Sequence, residues 1–417
     1  MSSTSSSAVP ADQRVGGHRR SSPPRNRTLV AALAITQTIG YGTLYYAFAV
    51  FLVPIAADLH TSTTAVTGAF TASVLTSAVL AVPIGRWLDR HGGRTLMTCG
   101  SLLGTVLLVA WSHVGRLWQL YAVQIGVGAA SAASLYEAAF AVIIAWHQPQ
   151  RRSAALLALT VVAGFASTIF LPLTGWLTDQ HGWRTALLIL AGIHAVTAPL
   201  HATTVRHPPP AGPHPATRHR DAGTRAVRAA LADRGFWLLT AGFTAHTMAI
   251  SAYTVLLIAA LTTWGHPPSF AATIAGLLGV LSVAGRLVTT GLQRRYRITT
   301  ITAGVFAIQA AAALLLPAVG ASTSGAIVAV VGFGLGFGVA TIAKPVILAE
   351  RYDTRRYATL ASVLVAPMAL AKAGAPLVAA ALHTATGSYT PVLAAIAACC
   401  AVAATALGAC SRPTAAA

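Results

Sequence analysis

Four charged residues stand inside long apolar stretches of this sequence: Glu137, Arg286, Lys344 and Lys372. If those stretches cross a bilayer, each central charge costs roughly 2.5–3.5 kcal/mol on insertion scales, so each needs a partner or a task. Lys372 lies about sixteen residues into its stretch, too deep to reach an interface easily, and a cation so placed either binds an anion or bonds helix carbonyls. Arg286 sits in the inner half of its stretch and either binds an anion or snorkels to the interface. Lys344 lies near one end of its stretch, close to Glu350, where snorkelling suffices. Burial disfavours the charged form of a carboxyl, which suits Glu137 to carry a proton or to hydrogen-bond a neighbouring helix. Gln37, Tyr41 and Tyr45 recur every four residues and form one stripe on a helix. That stripe either lines a wet cavity with hydroxyl and amide donors or packs against another helix. Tyr136 and His246 are weaker candidates of the same kind.

The elements holding these residues follow from composition. The 417 residues are 55% hydrophobic and only 9% charged, against roughly 25% charged for a soluble domain, and the mean hydropathy is +0.67. A bilayer-crossing helix needs about 20 apolar residues. Twelve candidates run over 29–56, 64–87, 95–112, 117–146, 153–176, 184–205, 236–261, 269–292, 298–318, 325–349, 356–382 and 388–410. The first is too long for a signal-peptide core and no small-residue cleavage site closes it. The predicted fold is an all-α membrane protein, with twelve transmembrane helices in two pseudo-symmetric six-helix bundles. Residues 1–28 read as a disordered cytoplasmic tail, 29–205 and 236–411 as the bundles, 206–235 as a Pro-, His- and Arg-rich linker, and 412–417 as a second tail. AVPIGR at 81–86 and SVAGR at 282–286 are a faint echo between the halves.

The net charge of +19 does not indicate nucleic-acid binding, because the basic residues occupy short loops instead of one face. With the N-terminus inside, Arg86, Arg90, Arg94, Arg151, Arg152, Arg294, Arg295, Arg297, Arg351, Arg355 and Arg356 all fall in cytoplasmic loops. Only Arg116 and Arg184 fall outside. The positive-inside rule therefore places both termini in the cytoplasm of a plasma-membrane protein. The four cysteines have no metal-ligand spacing, and no metal or cofactor motif is found. Gly332, Gly334, Gly336 and Gly338 lack the lysine of a phosphate loop and suit close helix packing or a flexible gating segment.

The segment GRWLDRHGGR, with Gly85, Asp89, Arg90, Gly92 and Arg94, resembles the signature between spans two and three of the major facilitator superfamily. Gly85 would permit close helix approach, Asp89 would sit against a helix N-terminus, and Arg90 and Arg94 would anchor at cytoplasmic headgroups. Trp87 and Gly93 depart from the usual pattern. GYGTLYYAFAVF, LYEAAF, GFASTIFLPLTGWL and AKAGAPLVAA resemble the monocarboxylate-porter and oxalate–formate-antiporter branch. The Gly-x-x-x-Gly-Pro run of drug–proton antiporters is not seen after Gly164, and Tyr121 and Gln124 occupy the stretch where span four usually carries an arginine.

The resemblance implies a monomeric secondary transporter of small organic anions, mono- or dicarboxylates, driven by protons or exchange through alternating access of the two halves. It also implies that Arg286 and Lys372 flank the substrate carboxylates, while the spacing of Gln37, Tyr41 and Tyr45 and the depth of Glu137 suit them, respectively, to line the path and to couple protons. Two cations facing one empty cavity repel, and a bound carboxylate relieves that repulsion. The competing expectation is proton-coupled efflux of a drug or secondary metabolite, dependent on Glu137 rather than on the lysine. An enzyme is disfavoured because no metal-ligand or nucleophilic triad spacing is found. A receptor is disfavoured because every loop but the linker is short, and ATP-driven transport because there is no nucleotide-binding domain.

Overall fold

The computed structural model describes residues 23–206, 227–352 and 354–411. The expected N-terminal tail through residue 22, most of the linker (207–226) and the C-terminal tail lie outside the described residues. Backbone groups in hydrocarbon must be satisfied within their own segment, and every long element here is a helix.

Eleven helical runs are long and apolar enough to cross a membrane among the described residues. They are Arg27–Asp58, Thr64–His91, Gly93–Ser112, Leu117–Trp146, Pro149–Thr204, Arg234–Thr263, Thr273–Leu292, Ile298–Val319, Thr323–Arg351, Tyr357–Thr386 and Tyr389–Cys410. The fifth run has 56 residues, which as straight helix would measure about 84 Å against a hydrocarbon core of about 30 Å. It holds two spans. Gly182, at φ 74° and ψ 159°, reverses the chain between them, a conformation glycine reaches without steric cost. The count is therefore twelve, numbered below in chain order.

Two boundaries differ from expectation. The first helix starts at Pro23, inside the expected tail, since proline at the first turn loses no hydrogen bond. Within the expected linker, residues 227–232 are helical, and span seven starts at Arg234. Asp233 caps that helix by accepting from the Gly235 N–H at 2.9 Å.

Several spans are broken near their middles. Span one passes through a π-helical turn at Gly42–Tyr46, a geometry often found at functional sites. Span four breaks at Leu135, whose ψ of −160° separates Leu117–Ser134 from Tyr136–Trp146. Span ten breaks between Gly334 and Val339, within the glycine run. Here the glycines serve close contact. A Cβ at Gly336 would overlap the Gln309 amide, and one at Gly338 would overlap the Ser282 carbonyl oxygen.

The apolar packing shows how the halves are arranged. Near the Arg-rich loops a single cluster joins Leu33, Met97, Phe140 and Leu159 of the first half to Phe236, Phe306, Ile347 and Leu360 of the second. Away from those loops it divides. Phe51, Trp111 and Phe170 pack within the first half, and Tyr253, Phe333 and Ile396 within the second. The halves meet at the Arg-rich end and part at the other.

Candidate functional site

Three sets of side chains bridge the halves at the closed end. The first joins spans two and eleven. The Asp89 carboxylate accepts from the Ala358 N–H at 3.0 Å, the Thr359 N–H at 2.8 Å and the Thr359 hydroxyl at 2.5 Å. These groups form the N-terminus of the 30-residue helix Tyr357–Thr386, where unsatisfied N–H groups and the helix dipole favour an anion. The helix N-terminus that Asp89 meets thus belongs to the opposite half. One turn earlier, a Cβ on Gly85 would overlap Ser362 Oγ and the Ala358 carbonyl oxygen. Gly92 ends span two at φ 75°, and Arg90 and Arg94 are exposed beside it.

The second set was not foreseen. Lys344 Nζ contacts Glu137 Oε1 at 2.5 Å, joining span ten to span four. The lysine side chain is 7% exposed and the glutamate 32%, so Lys344 turns into the protein instead of snorkelling outward. Glu137 lies in the first turn of Tyr136–Trp146, the helix created by the break at Leu135, where the dipole favours a carboxylate. Its second oxygen, Oε2, is buried without a hydrogen-bond partner, as is the hydroxyl of Tyr357. Tyr357 begins span eleven and lies within electrostatic reach of both Glu137 and Asp89.

Arg286 makes the third. Its Nη1 donates to the Thr160 carbonyl of span five at 2.7 Å, and its Nε to the Gly338 carbonyl at the break in span ten at 3.4 Å. The residue is 8% exposed and does not face the cavity as an uncommitted cation.

Above these bridges the halves separate over a floor rich in tyrosine. Lys372 is exposed although it lies midway along span eleven. Its Nζ stands 4.7 Å from the centre of the Tyr45 ring, within cation–π range. Pro376 cannot donate to the carbonyl four residues back, which is that of Lys372, and the Ser251 hydroxyl fills the place at 2.8 Å. The backbone at the lysine is thus tied to span seven one turn before the proline. Tyr46 is within electrostatic reach of both Lys372 and Arg286. Tyr41, Tyr45, Tyr46 and Tyr136 form a chain of ring contacts, with Tyr41 and Tyr136 at 4.4 Å.

Gln37 is separated from its expected stripe. It is 0% exposed, and its Nε2 donates to the Ser134 carbonyl at 2.8 Å. The break at Leu135 diverts the Ala138 N–H to the Leu135 carbonyl, freeing the Ser134 oxygen that Gln37 then satisfies. In this conformation Gln37 supports span four and does not line the cavity. Gln37→Leu is expected to lower stability by about 1–3 kcal/mol, the cost of stranding a buried carbonyl, read as a lower Tm of the purified protein. His246 is likewise internal, bonded to Gln309 at 2.9 Å and stacked on Phe306 at 3.9 Å.

Two helical bundles closed at one end, with a cation exposed at mid-depth, are an arrangement suited to transport by alternating access. The Major Facilitator Superfamily pattern matches residues 33–376, and the chain belongs to that superfamily. It is 33% identical over 184 residues to an MFS-type efflux pump of Mycolicibacterium smegmatis, covering 43% of this chain and 42% of that one. It is 25% identical over 133 residues to the probable galactarate/D-glucarate transporter GudP of Escherichia coli, covering 30% of this chain and 29% of that one. The matches thus span less than half the length of these relatives. In structure it is similar to the MFS transporter FucP in the outward conformation, with TM-score 0.73, 15% identity and coverage of 93% of this chain and 100% of that one. The human organic anion transporter MFSD10 aligns with TM-score 0.70, 14% identity and the same coverage.

Proposed function

We propose that this protein is a secondary transporter of small organic anions, mono- or dicarboxylates, working by alternating access and driven by protons or by exchange. The observation that carries this reading is Lys372, a mid-span cation exposed beside Tyr45 with no carboxylate within ion-pair distance among the described residues. A carboxylate entering there gains a charge-assisted bond and hydroxyl donors from the tyrosines. The resemblance to the monocarboxylate-porter and oxalate–formate branch supports the same class, as does the likeness to a transporter named for two sugar diacids. Arg286 acts as the second cation once its bonds to Thr160 and Gly338 are released. Glu137 takes the proton, which frees Lys344. The basic loops lie on the cytoplasmic side of the plasma membrane, so the described conformation faces outward, and the chain works as a monomer.

The competing reading is proton-coupled efflux of a larger compound. It is favoured by the likeness to an efflux pump and by the ring-lined floor.

Uptake of radiolabelled lactate, pyruvate, oxalate, formate and glucarate into proteoliposomes, with and without a pH gradient, separates the two readings. Saturable flux of one acid is expected, reduced at least tenfold in Lys372→Ala, the loss of about one charge-assisted bond. Gradient dependence then distinguishes symport from exchange. No acid flux would leave efflux as the better account, and full acid flux in Lys372→Ala would overturn Lys372 as the anion site.

A further inference from the structure

A polar cavity of about 800 Å³ opens at the Arg-rich end of the second half, away from the bridges between the halves. It is walled by the ends of spans seven to ten and span twelve, and four arginines line it: Arg294, Arg295, Arg297 and Arg351. Two carboxylates, Asp233 and Glu350, line it as well, and Asp233 is engaged. Asp233 accepts from the Tyr352 hydroxyl at 2.6 Å and the Gly235 N–H at 2.9 Å, and pairs with Arg351 at 3.5 Å. Glu350 lies within electrostatic reach of Arg297. Arg294 and Arg295 are exposed and make no ion pair among the described residues.

Two further features of the wall are donors. Gln293 Nε2 is buried there without a hydrogen-bond partner. The 22-residue helix Ile298–Val319 begins at the cavity with no side-chain cap, leaving first-turn N–H groups for an acceptor. Orienting a membrane protein needs only an excess of basic residues in its loops. It does not account for a cavity, an orphaned buried amide and an uncapped helix meeting at one place.

We propose that this cavity binds a phosphate-bearing anion, held by Arg294, Arg295, Gln293 and the start of span nine. Paired arginines, an amide and backbone N–H groups match the several acceptor oxygens of a phosphate. The cavity lies at the membrane surface, so the phosphate comes from an anionic lipid headgroup or from a soluble phosphate compound. Basic pockets between spans on this side of a membrane are suited to the former.

The test uses the full-length protein in neutral detergent. Its Tm is followed while titrating phosphatidylglycerol, phosphatidylcholine or inorganic phosphate, with sodium chloride at matched ionic strength as the control. Phosphatidylglycerol is expected to raise Tm saturably and phosphatidylcholine and chloride not to. Arg294→Gln/Arg295→Gln is expected to weaken the apparent affinity at least about tenfold, the effect of losing one charged hydrogen bond. Gln293→Leu tests the same site without changing loop charge or topology and should weaken it about threefold or more. Saturation by inorganic phosphate at submillimolar concentration, sensitive to the same substitutions, would assign the site to a soluble phosphate compound and still support it. The same response in wild type and both variants, or no response to either phosphate source, would overturn the proposal.

Discussion

Replacing Glu137 with alanine is expected to destabilise the closed end by about 3–5 kcal/mol, because Lys344 is left as a buried charge without its partner. The loss should be visible twice. The Tm should fall, and spin labels placed on the Arg-rich face, one in each half, should move apart as the closed population drops. Lys344→Ala leaves a less buried carboxylate and should cost less. The double variant Glu137→Ala/Lys344→Ala should recover part of the loss, since a missing pair strands no charge, and the non-additivity measures the coupling. Additive effects with no change in label separation would mean that the pair does not hold the halves together.

Gly85→Leu is expected to have the second large effect, through volume instead of charge. Any side chain at this position meets Ser362 and the Ala358 carbonyl of span eleven, so leucine acts as a wedge where the halves touch. Overpacking of this kind costs about 3 kcal/mol, which lowers the population of the closed-end state about a hundredfold. The same label pair should report a permanently wider separation, and solute uptake should fall with it. Gly85→Ala should show a milder form of both. A leucine variant with wild-type separation and flux would show that the helices shift apart at no cost.

The twelve spans were legible because hydropathy and the arginine map are one-dimensional properties, readable residue by residue. The hairpin between spans five and six needed only Gly182 to separate two apolar runs. Partnership was harder. Glu137 and Lys344 are 207 residues apart, and the sequence states the depth of each without the direction in which it points. A usable signal did exist: two opposite charges, one in each half, both in the Arg-rich half of their spans. The reading of Lys344 as a snorkelling residue used only its nearness to the end of its span and to Glu350. Gln37 was grouped with Tyr41 and Tyr45 by a period of four, which presumes an unbroken α-helix, and the donor it supplies answers a break at Leu135 with no obvious marker in the sequence. Asp89 was easier because its signature names the kind of partner it needs, a helix N-terminus, although not which one.

The π-helical turn at Gly42–Tyr46 bears on how this chain is compared with others. Such a turn is what a helix makes of one surplus residue, and past it every side chain is rotated by about 100° relative to an uninterrupted α-helix. An alignment to a homologue without the surplus residue needs a one-position gap here, or it will equate residues on different sides of the helix. Tyr45 and Tyr46 lie within the affected turn, so which of them corresponds to a given residue elsewhere depends on where that gap is set.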